Sequence, residues 1–143
     1  MEENLLNTCL YDKHTALGAL MSPFGGFIMP IQYTSITDEH NAVRQHAGMF
    51  DVSHMGEIFV SGPDAEKFVN HIFTNNVTGI PDGKILYGMM LYPNGTVVDD
   101  LLVYKEFEPC RYLLVVNASN IAKDYEWICA QKEGFDVEVV NAS

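Results

Sequence analysis

The chain has 143 residues, a size that suits one domain or part of a larger protein. Its hydrophobic fraction of 48% and aromatic fraction of 11% are sufficient for a buried core, which excludes a disordered chain. Acidic side chains outnumber basic ones by 19 to 8, the formal net charge is −11, and the basic residues are scattered. Since nucleic-acid binding depends on clustered Lys and Arg, this balance excludes nucleic acid as the main partner.

Cysteine content and the N-terminal segment indicate the compartment. Cys9, Cys110 and Cys129 are odd in number and lack C-x-x-C spacing, so they indicate neither a disulfide framework nor a zinc ribbon. The segment MEENLLNTCLYDKH has no basic region followed by an apolar run, so it does not resemble a secretion signal. No apolar stretch approaches the roughly 18 residues that a membrane helix needs. We therefore expect a cytoplasmic protein with no membrane partner.

The first third of the sequence mixes helix and turn signals. Apolar residues at helical spacing predict a modest amphipathic helix over residues 10–21. The sequence Ser-Pro-Phe-Gly-Gly-Phe at 22–27 predicts a break after it, and Pro30 forces extended backbone on the preceding residue. No strand system is evident in residues 1–55, which we interpret as a helix and turn segment.

A second helix is predicted over residues 35–47. Ser35 followed three residues later by Asp38 resembles a capping box, although aspartate is a weaker partner in that motif than Glu or Gln. Gly48 stands where a C-terminal glycine cap is expected. The sequence therefore marks both ends of this helix.

From residue 56 onward the pattern is more regular and predicts the order β-α-β-β-β-α-β. The predicted elements are a strand at 57–61, a helix at 63–73, strands at 85–92, 96–104 and 112–117, a helix at 120–132 and a strand at 135–140. This order favours an α+β fold over 56–143, in which two helices cover one face of an antiparallel-rich sheet, as a ferredoxin-like variant with an added strand. Because the sequence stops directly after its last predicted strand, we expect a fragment of a longer protein.

Two adjacent acids, Asp99 and Asp100, stand in the apolar strand predicted at 96–104. Since side chains alternate along a strand, the acids are expected on opposite faces, with Asp100 on the apolar face of Val98 and Leu102. A buried carboxylate is costly unless it is paired, so it is often retained for function. The alternative is a polar residue that caps backbone donors near the hairpin end, and the residues alone slightly favour that alternative.

Other polar residues give weaker indications. Asp51, Ser53 and His54 invite a nucleophilic triad, but neighbours in sequence rarely reach that geometry. A local turn held by Asp51 or Ser53 is the better interpretation. The histidines lack the i, i+4 spacing of helical metal ligands, so no metal site is predicted. Tyr87 and Tyr104 can stack on a flat ligand, although ordinary sheet packing is their commoner role.

A series of short segments, read in chain order, forms a specific set. The segments are Leu10-Tyr11-Asp12-x-His14, Pro23-Phe24-Gly25-Gly26-Phe27-x-Met29-Pro30, Glu39-His40-x-Ala42-Val43-Arg44, Gly48-Met49-Phe50-Asp51-Val52-Ser53-His54-Met55-Gly56, Thr74-Asn75-Asn76-Val77, Pro81-Asp82-Gly83-Lys84, Val98-Asp99-Asp100-Leu101 and Val115-Val116-Asn117-Ala118-Ser119-Asn120. Together they resemble the glycine cleavage system T-protein family, the tetrahydrofolate-dependent aminomethyltransferases. The resemblance covers the chain from residue 10 onward.

The resemblance implies a reaction and a site. An aminomethyl group is taken from the lipoyl arm of the carrier H-protein, its one-carbon unit passes to tetrahydrofolate, and ammonia is released. Asp100 matches the catalytic aspartate, whose carboxylate orients the folate nitrogens and stabilises positive charge at the reacting carbon. Met55, Tyr87, Tyr104 and Asn117 match positions that line the family's folate pocket. On this basis, Asp99→Asn is expected to reduce turnover much less than Asp100→Asn.

Departures from the family pattern leave alternatives open. Thr96 replaces the second glycine of a Gly-Gly pair that usually opens this strand, and family members continue far past Ser143, where the basic group for the folate tail is expected. One alternative is the folate-linked domain of a dimethylglycine or sarcosine oxidase, although no upstream dinucleotide motif is present. Another is a non-catalytic folate-binding or interaction module of the same fold. The complete Asp-Asp-Leu motif favours the enzyme.

Overall fold

The computed structural model describes residues 5–143, so the first four residues of the segment examined as a secretion signal lie outside the described residues. The chain divides into two compact units, Met1–His54 and Met55–Ser143. Among the described residues, no helix is both long enough and apolar enough to cross a bilayer.

The first unit contains a small sheet that the sequence analysis missed. Its elements are β1 (Leu6–Asn7), α1 (Tyr11–Ala16), β2 (Leu20–Phe24), β3 (Phe27–Gln32) and α2 (Ile36–Gln45). The sheet order is β1-β3-β2, with β1 and β3 parallel and β2 and β3 antiparallel. The interpretation of residues 1–55 as helix and turn alone is therefore wrong.

Glycine explains both errors in this unit. Gly18, with φ of +77°, follows the last turn of α1, so the helix predicted to residue 21 gives way to β2 at Leu20. Gly25 and Gly26 both have positive φ and join Phe24 to its partner Phe27, as a two-residue hairpin turn requires. The Gly-Gly pair that predicted a break is thus the turn of a hairpin. The extended backbone predicted before Pro30 is confirmed within β3.

Helix α2 is capped largely as predicted at its start. The Ser35 hydroxyl accepts a hydrogen bond from the Asp38 N–H at 3.3 Å. The acid that binds back is Glu39 rather than Asp38, because its longer side chain accepts from the N–H groups of Tyr33 and Thr34 at 2.8 Å each. The helix ends at Gln45, where the backbone leaves the helical region, and not at the predicted Gly48 cap.

The second unit confirms the predicted order β-α-β-β-β-α-β. Its elements are β4 (Gly56–Ser61), α3 (Ala65–Ile72), β5 (Ile85–Leu91), β6 (Val97–Lys105), β7 (Arg111–Val116), a short 3₁₀ turn (Ala118–Asn120), α4 (Ile121–Ala130) and β8 (Glu138–Asn141). The sheet order is β5-β6-β7-β4-β8, and every pair is antiparallel. This is the ferredoxin-like order with β5 added at one edge. Most boundaries shift by one residue, and larger shifts occur where α3 begins two residues after Pro63, α4 ends two residues before Lys132 and β8 begins three residues after Phe135.

One face of this sheet carries the core. Strand residues that share this face are fully buried: Ile58, Val60, Val103, Tyr112, Leu114 and Val116. They join a single buried cluster with Phe68 and Val69 of α3 and Ile128 of α4, so both helices cover the same face. The opposite face, with Phe59, Leu102, Leu113 and Val115, is only half-buried, and Tyr87 and Met89 on it are exposed. Any ligand of this unit has that second face available.

We expect a pair of glycines to separate steric crowding from backbone strain. Gly62 and Gly95 both have φ between +80° and +130°, but a Cβ at Gly62 would lie 2.6 Å from the Asp136 carbonyl oxygen, whereas one at Gly95 meets nothing within 4 Å. Gly95→Ala should cost about 1 kcal/mol of unfolding free energy through strain alone, and Gly62→Ala roughly 3 kcal/mol or more. Urea unfolding followed by fluorescence of Trp127, the single tryptophan, measures both. Equal losses of unfolding free energy in the two variants would contradict the steric crowding expected at Gly62.

Candidate functional site

The two adjacent acids of β6 lie on opposite faces of the sheet, and a β-bulge directly precedes them. The pairing register runs Met89↔Asp100 and Met90↔Asp99, then shifts to Leu91↔Val97, so Val98 is left without a partner. As a result Val98 and Asp99 are both buried, at 4% and 6% exposure, against the helices. The prediction that Asp100 shares a face with Val98 is wrong, whereas Leu102 does share its face. Asp99 is the buried acid, and Asp100 lies on the half-buried face.

Two neutral donors fix the Asp100 carboxylate. The Tyr87 hydroxyl, from β5, donates to Asp100 Oδ2 at 2.8 Å. The Asn117 amide, which follows β7, lies 3.2 Å from Asp100 Oδ1 and 3.1 Å from the Asp100 carbonyl oxygen. One donor therefore holds each carboxylate oxygen. Because a carboxylate has about four acceptor positions, capacity for further donors remains.

The Tyr87–Asp100 hydrogen bond affects the titration of the phenol. The hydrogen bond to the Asp100 carboxylate, together with its negative charge, raises the pKa of Tyr87 above the usual range. Tyr87 thus remains a hydroxyl donor at neutral pH. Tyr87 as a residue is 58% exposed, so its aromatic ring is accessible beside the carboxylate.

The buried acids Asp99 and Asp124 lie beneath this arrangement. Asp99 Oδ1 accepts from the Asn117 amide at 2.9 Å, so one side chain bridges both acids of β6. Burial acts to raise the pKa of Asp99, but hydrogen bonds from Asp124, Asn117 and Asn120 outweigh it and lower that pKa. Burial and the neighbouring Asp99 instead raise the pKa of Asp124 to about 7, against the opposing effect of Lys123. The two acids differ in protonation near neutral pH.

The five residues expected in the site are not all joined. Among residues 5–143, hydrogen bonds connect three of them, namely Tyr87, Asp100 and Asn117. Tyr104 shares the Asp100 face but lies four residues further along β6. Met55 is half-buried and directly precedes β4, whose first residue pairs with Val116. Their place in a ligand site stays a prediction.

Sequence reasoning missed Asp124 completely. Its side chain is fully buried, and its carboxylate Oδ1 lies 3.4 Å from Lys123 Nζ, which also donates to the Val98 carbonyl oxygen. A signal for it existed, because Asp124 lies three residues after Ile121 and four before Ile128, on the apolar face of the predicted helix. An acid at that spacing indicates a buried carboxyl group.

A second polar cluster, also missed, lies in the first unit. Asp51 Oδ2 lies 2.8 Å from His14 Nε2 and accepts from the Thr8 hydroxyl at 2.8 Å, while His14 Nδ1 lies 2.7 Å from the Tyr33 hydroxyl. Asp51 Oδ1 accepts from the Ser53 N–H at 2.9 Å, which confirms the local turn expected there. The cluster ties the segment after α2 to α1 and to the residue that follows β3.

The first unit also has a cavity of about 530 Å³. Its lining comes from β3, α2 and residues 47–51, and is mostly apolar. None of the five residues expected in the site lines it. We therefore place the candidate site on the Asp100 face of the second unit.

The fold and the site together define a class of protein. It is an antiparallel α+β domain with an oriented carboxylate on the open face of its sheet. Residues 10–143 match the family described as the GCVT N-terminal domain. The chain belongs to that family.

Similar proteins are considerably longer than this chain. It is 53% identical over 140 residues to an aminomethyltransferase of Moorella thermoacetica, which covers 98% of this chain and 38% of that protein. For an aminomethyltransferase of Thermotoga petrophila, identity is 51% over 136 residues, covering 95% and 37%. The crystal structure of glycine cleavage system aminomethyltransferase T from Bartonella henselae matches with a TM-score of 0.90 at 33% identity, covering 96% and 38%. The chain thus spans 35% to 39% of the length of such curated relatives.

The Asp51 cluster makes the first unit sensitive to acid. Burial acts to raise the pKa of Asp51, but hydrogen bonds from His14, Ser53 and Thr8 outweigh it and hold that pKa far below the usual range. A lowered pKa stabilises the fold above the ordinary aspartate value, and this stabilisation is lost as pH falls below about 3.9. At pH 7, Asp51→Asn should cost the unit about 3 kcal/mol, because His14 and Thr8 lose a buried partner.

The measurement is urea unfolding of the first unit, followed by the methyl resonance of the buried Met29. Asp12→Asn, at an exposed position in α1, is the matched control and should change little. If both variants unfold at the same urea concentration, the cluster does not stabilise this unit.

Proposed function

We propose that this chain is the catalytic-aspartate-bearing part of an aminomethyltransferase of the glycine cleavage system. In this proposal the complete protein takes the aminomethyl group from the lipoyl arm of the carrier H-protein, transfers its one-carbon unit to tetrahydrofolate and releases ammonia. Residues 1–55 and 56–143 would be two segments of the folate-binding region, with the rest of the family's domains supplied beyond them. The aminomethyltransferase names of its relatives support this proposal over an oxidase-linked domain.

The observation that carries the proposal is the Asp100 carboxylate on the open sheet face. A negative group held by neutral donors is oriented without being neutralised. It can accept hydrogen bonds from N–H groups of a ligand and stabilise positive charge that develops at the reacting carbon. This preorganised charge is the reason why the proposal favours an enzyme over a non-catalytic binding module.

The surroundings of Asp100 suit a flat ligand that carries N–H groups. The exposed ring of Tyr87 and the apolar side chains of Met89 and Leu102 lie on the same face as the carboxylate. Aromatic and apolar surface favours a planar heterocycle, and the carboxylate supplies the acceptor that its nitrogens need. We propose that Tyr104, Met55 and Asn117 complete this pocket. Bound tetrahydrofolate would supply the two nitrogens that accept the carbon.

The net charge and the cysteine content bear on the contact to the folate tail and on the compartment. With a net charge of −11, this chain is poorly suited to hold the anionic glutamate tail of folate, so that contact is assigned to the part of the protein outside it. Within residues 5–143, Cys9, Cys110 and Cys129 are free, which supports the cytoplasm as the working compartment. The lipoyl-bearing H-protein is the proposed macromolecular partner.

Substitution of Asp100 should test the proposed role directly. In the protein that carries this chain, Asp100→Asn should keep the fold but lower turnover about 10²–10³-fold, because one preorganised charge is lost. Ammonia release and methylene-tetrahydrofolate formation from aminomethyl-loaded H-protein measure this. Asp136→Asn, at an exposed position before β8, is the control and should keep full turnover. Near-normal turnover of Asp100→Asn would remove Asp100 from the reaction.

The expectation that Asp99→Asn reduces turnover much less than Asp100→Asn stays a prediction. Asp99 does face away from Asp100, but it is buried and bonded to the same Asn117 amide as Asp100. Asp99→Asn should therefore lower the melting temperature as well as turnover. The melting temperatures of the Asp99 and Asp100 variants separate the two effects.

A further prediction concerns the chain by itself. Because its net charge is −11 and its eight Lys and Arg residues are scattered, the 143-residue chain should bind tetrahydrofolate, with its anionic tail, weakly or not at all. Titration calorimetry measures this, with folate lacking its glutamate tail as the comparison ligand. Micromolar affinity for tetrahydrofolate would show that the tail contact is not required or that this chain supplies it.

A further inference from the structure

Two carboxyl groups lie together in the core beneath the Asp100 site. Asp124 of α4 is 0% exposed and Asp99 of β6 is 6% exposed. Among residues 5–143, Asp99 Oδ2 and both carboxyl oxygens of Asp124 have no ordinary hydrogen-bond donor. Lys123 Nζ is 3.4 Å from Asp124 Oδ1, but it donates to the Val98 carbonyl oxygen. These three buried carboxyl oxygens can therefore be satisfied by a hydrogen bond between the two carboxyl groups.

A shared proton resolves this arrangement. Two ionised carboxylates side by side in an apolar core repel one another and each lose their hydration, so one of them takes up a proton. A protonated carboxyl group is also a donor, and its O–H can reach an acceptor that would otherwise be unpaired. Asp99 already accepts from Asn117, which favours its charged form. Asp124 is therefore the group that holds the proton.

We propose that Asp124 is a positioning residue for the Asp100 site: its protonated carboxyl donates to Asp99, and Asp99 in turn holds the Asn117 amide against Asp100. The geometry that carries this is the Asn117 Nδ2 atom, which lies 2.9 Å from Asp99 Oδ1 and 3.2 Å from Asp100 Oδ1. Its functional consequence rests on the proposed function, whereas the proton and the hydrogen bonds do not.

This chain of contacts fixes the orientation of the amide. With its N–H₂ group committed to the two acids, Asn117 has its carbonyl oxygen left to offer to a ligand. Loss of the proton from Asp124 would place two negative charges in the core. Their repulsion would push Asp99 away from the Asn117 amide. The amide would then be free to turn, and Asp100 would lose one of its two donors.

The charged groups that face Asp124 favour its protonated form, which the proposed hydrogen bond to Asp99 requires. Asp99 faces it from β6 and Lys123 from its own helix, while Asn117 and Asn120 are neutral neighbours of Asp99. Burial and then Asp99 raise the pKa of Asp124 to about 7, and Lys123 only partly opposes them. Because a raised pKa means that the folded chain binds more protons, stability should fall as pH rises from about 4 through about 7.

Carboxyl and amide resonances of the 143-residue chain test the proposal without any folate. We expect the Asp124 carboxyl carbon to titrate near neutral pH and the Asn117 side-chain amide to move with the same midpoint. This measurement needs no variant. An Asp124 midpoint below pH 5, or an Asn117 amide that does not follow it, would overturn the proposal.

The matched variants are Asp124→Asn and Asp136→Asn. Asp124→Asn keeps the shape and a donor toward Asp99 but has no proton to lose, so the Asn117 titration should disappear and the melting temperature should stop falling between pH 5 and 8. Asp136→Asn should leave both as in the parent chain. An Asn117 titration that persists in Asp124→Asn would assign it to another group. Failure of folate binding in the complete protein would affect the proposed function and leave these results unchanged.

Discussion

The second unit depends on how β6 places two neighbouring carboxylates on opposite faces of one sheet. Asp99 alternates with the buried Leu101 and Val103, and Asp100 with Leu102 on the open face, while the bulge at Val98 adds one more buried residue before Asp99. A strand without the bulge would pair Val98 and change the face of every residue on one side of it. Strand alternation therefore sets which acid each face carries, and the bulge adds Val98 to the core face. Because the two acids are adjacent in one strand, an accessible Asp100 on the open face requires Asp99 to lie on the face that the helices cover.

Burying Asp99 is costly, and the surrounding residues reduce that cost in different ways. Asn117 supplies a neutral donor from the end of β7, and Asp124 supplies a second from α4 when protonated. These groups come from separate elements, so the site is held by the packing of α4 on the sheet as much as by the strands. Gly56 shows how close that packing is, because a Cβ there would lie 2.6 Å from Ile121. Small changes in the position of the helix would thus reach the acids.

Local periodicity predicted the second unit well, and tertiary placement accounts for what it missed. The apolar spacing of Phe68, Val69 and Ile72 and the Pro-Asn-Gly turn at 93–95 are complete signals within a few residues, and both elements formed as expected. The bulge is invisible to strict alternation, so Val98 was assigned to the wrong face. In the first unit, two glycines were taken as a break because the strands beside them are short and weakly alternating.

The candidate site was also predicted only in part from the sequence. The resemblance to a family supplied Asp100, Tyr87 and Asn117 by motif, and the hydrogen bonds among them are a property of the fold that no motif states. The contacts of Asp124 with β6 and of Asp51 with His14 join residues far apart in sequence, and only the folded chain brings such pairs together.

Charge balance links the buried pair to the open face. If all three acids were ionised, the cluster would carry three negative charges within two adjacent layers, and these charges would repel one another. A proton on Asp124 removes the most deeply buried of these charges. Tyr87 and Asn117 then orient Asp100 without cancelling its charge, since neither donor is cationic. The Asp100 carboxylate therefore keeps a full negative charge, in a fixed orientation, to act on positive charge at a bound ligand.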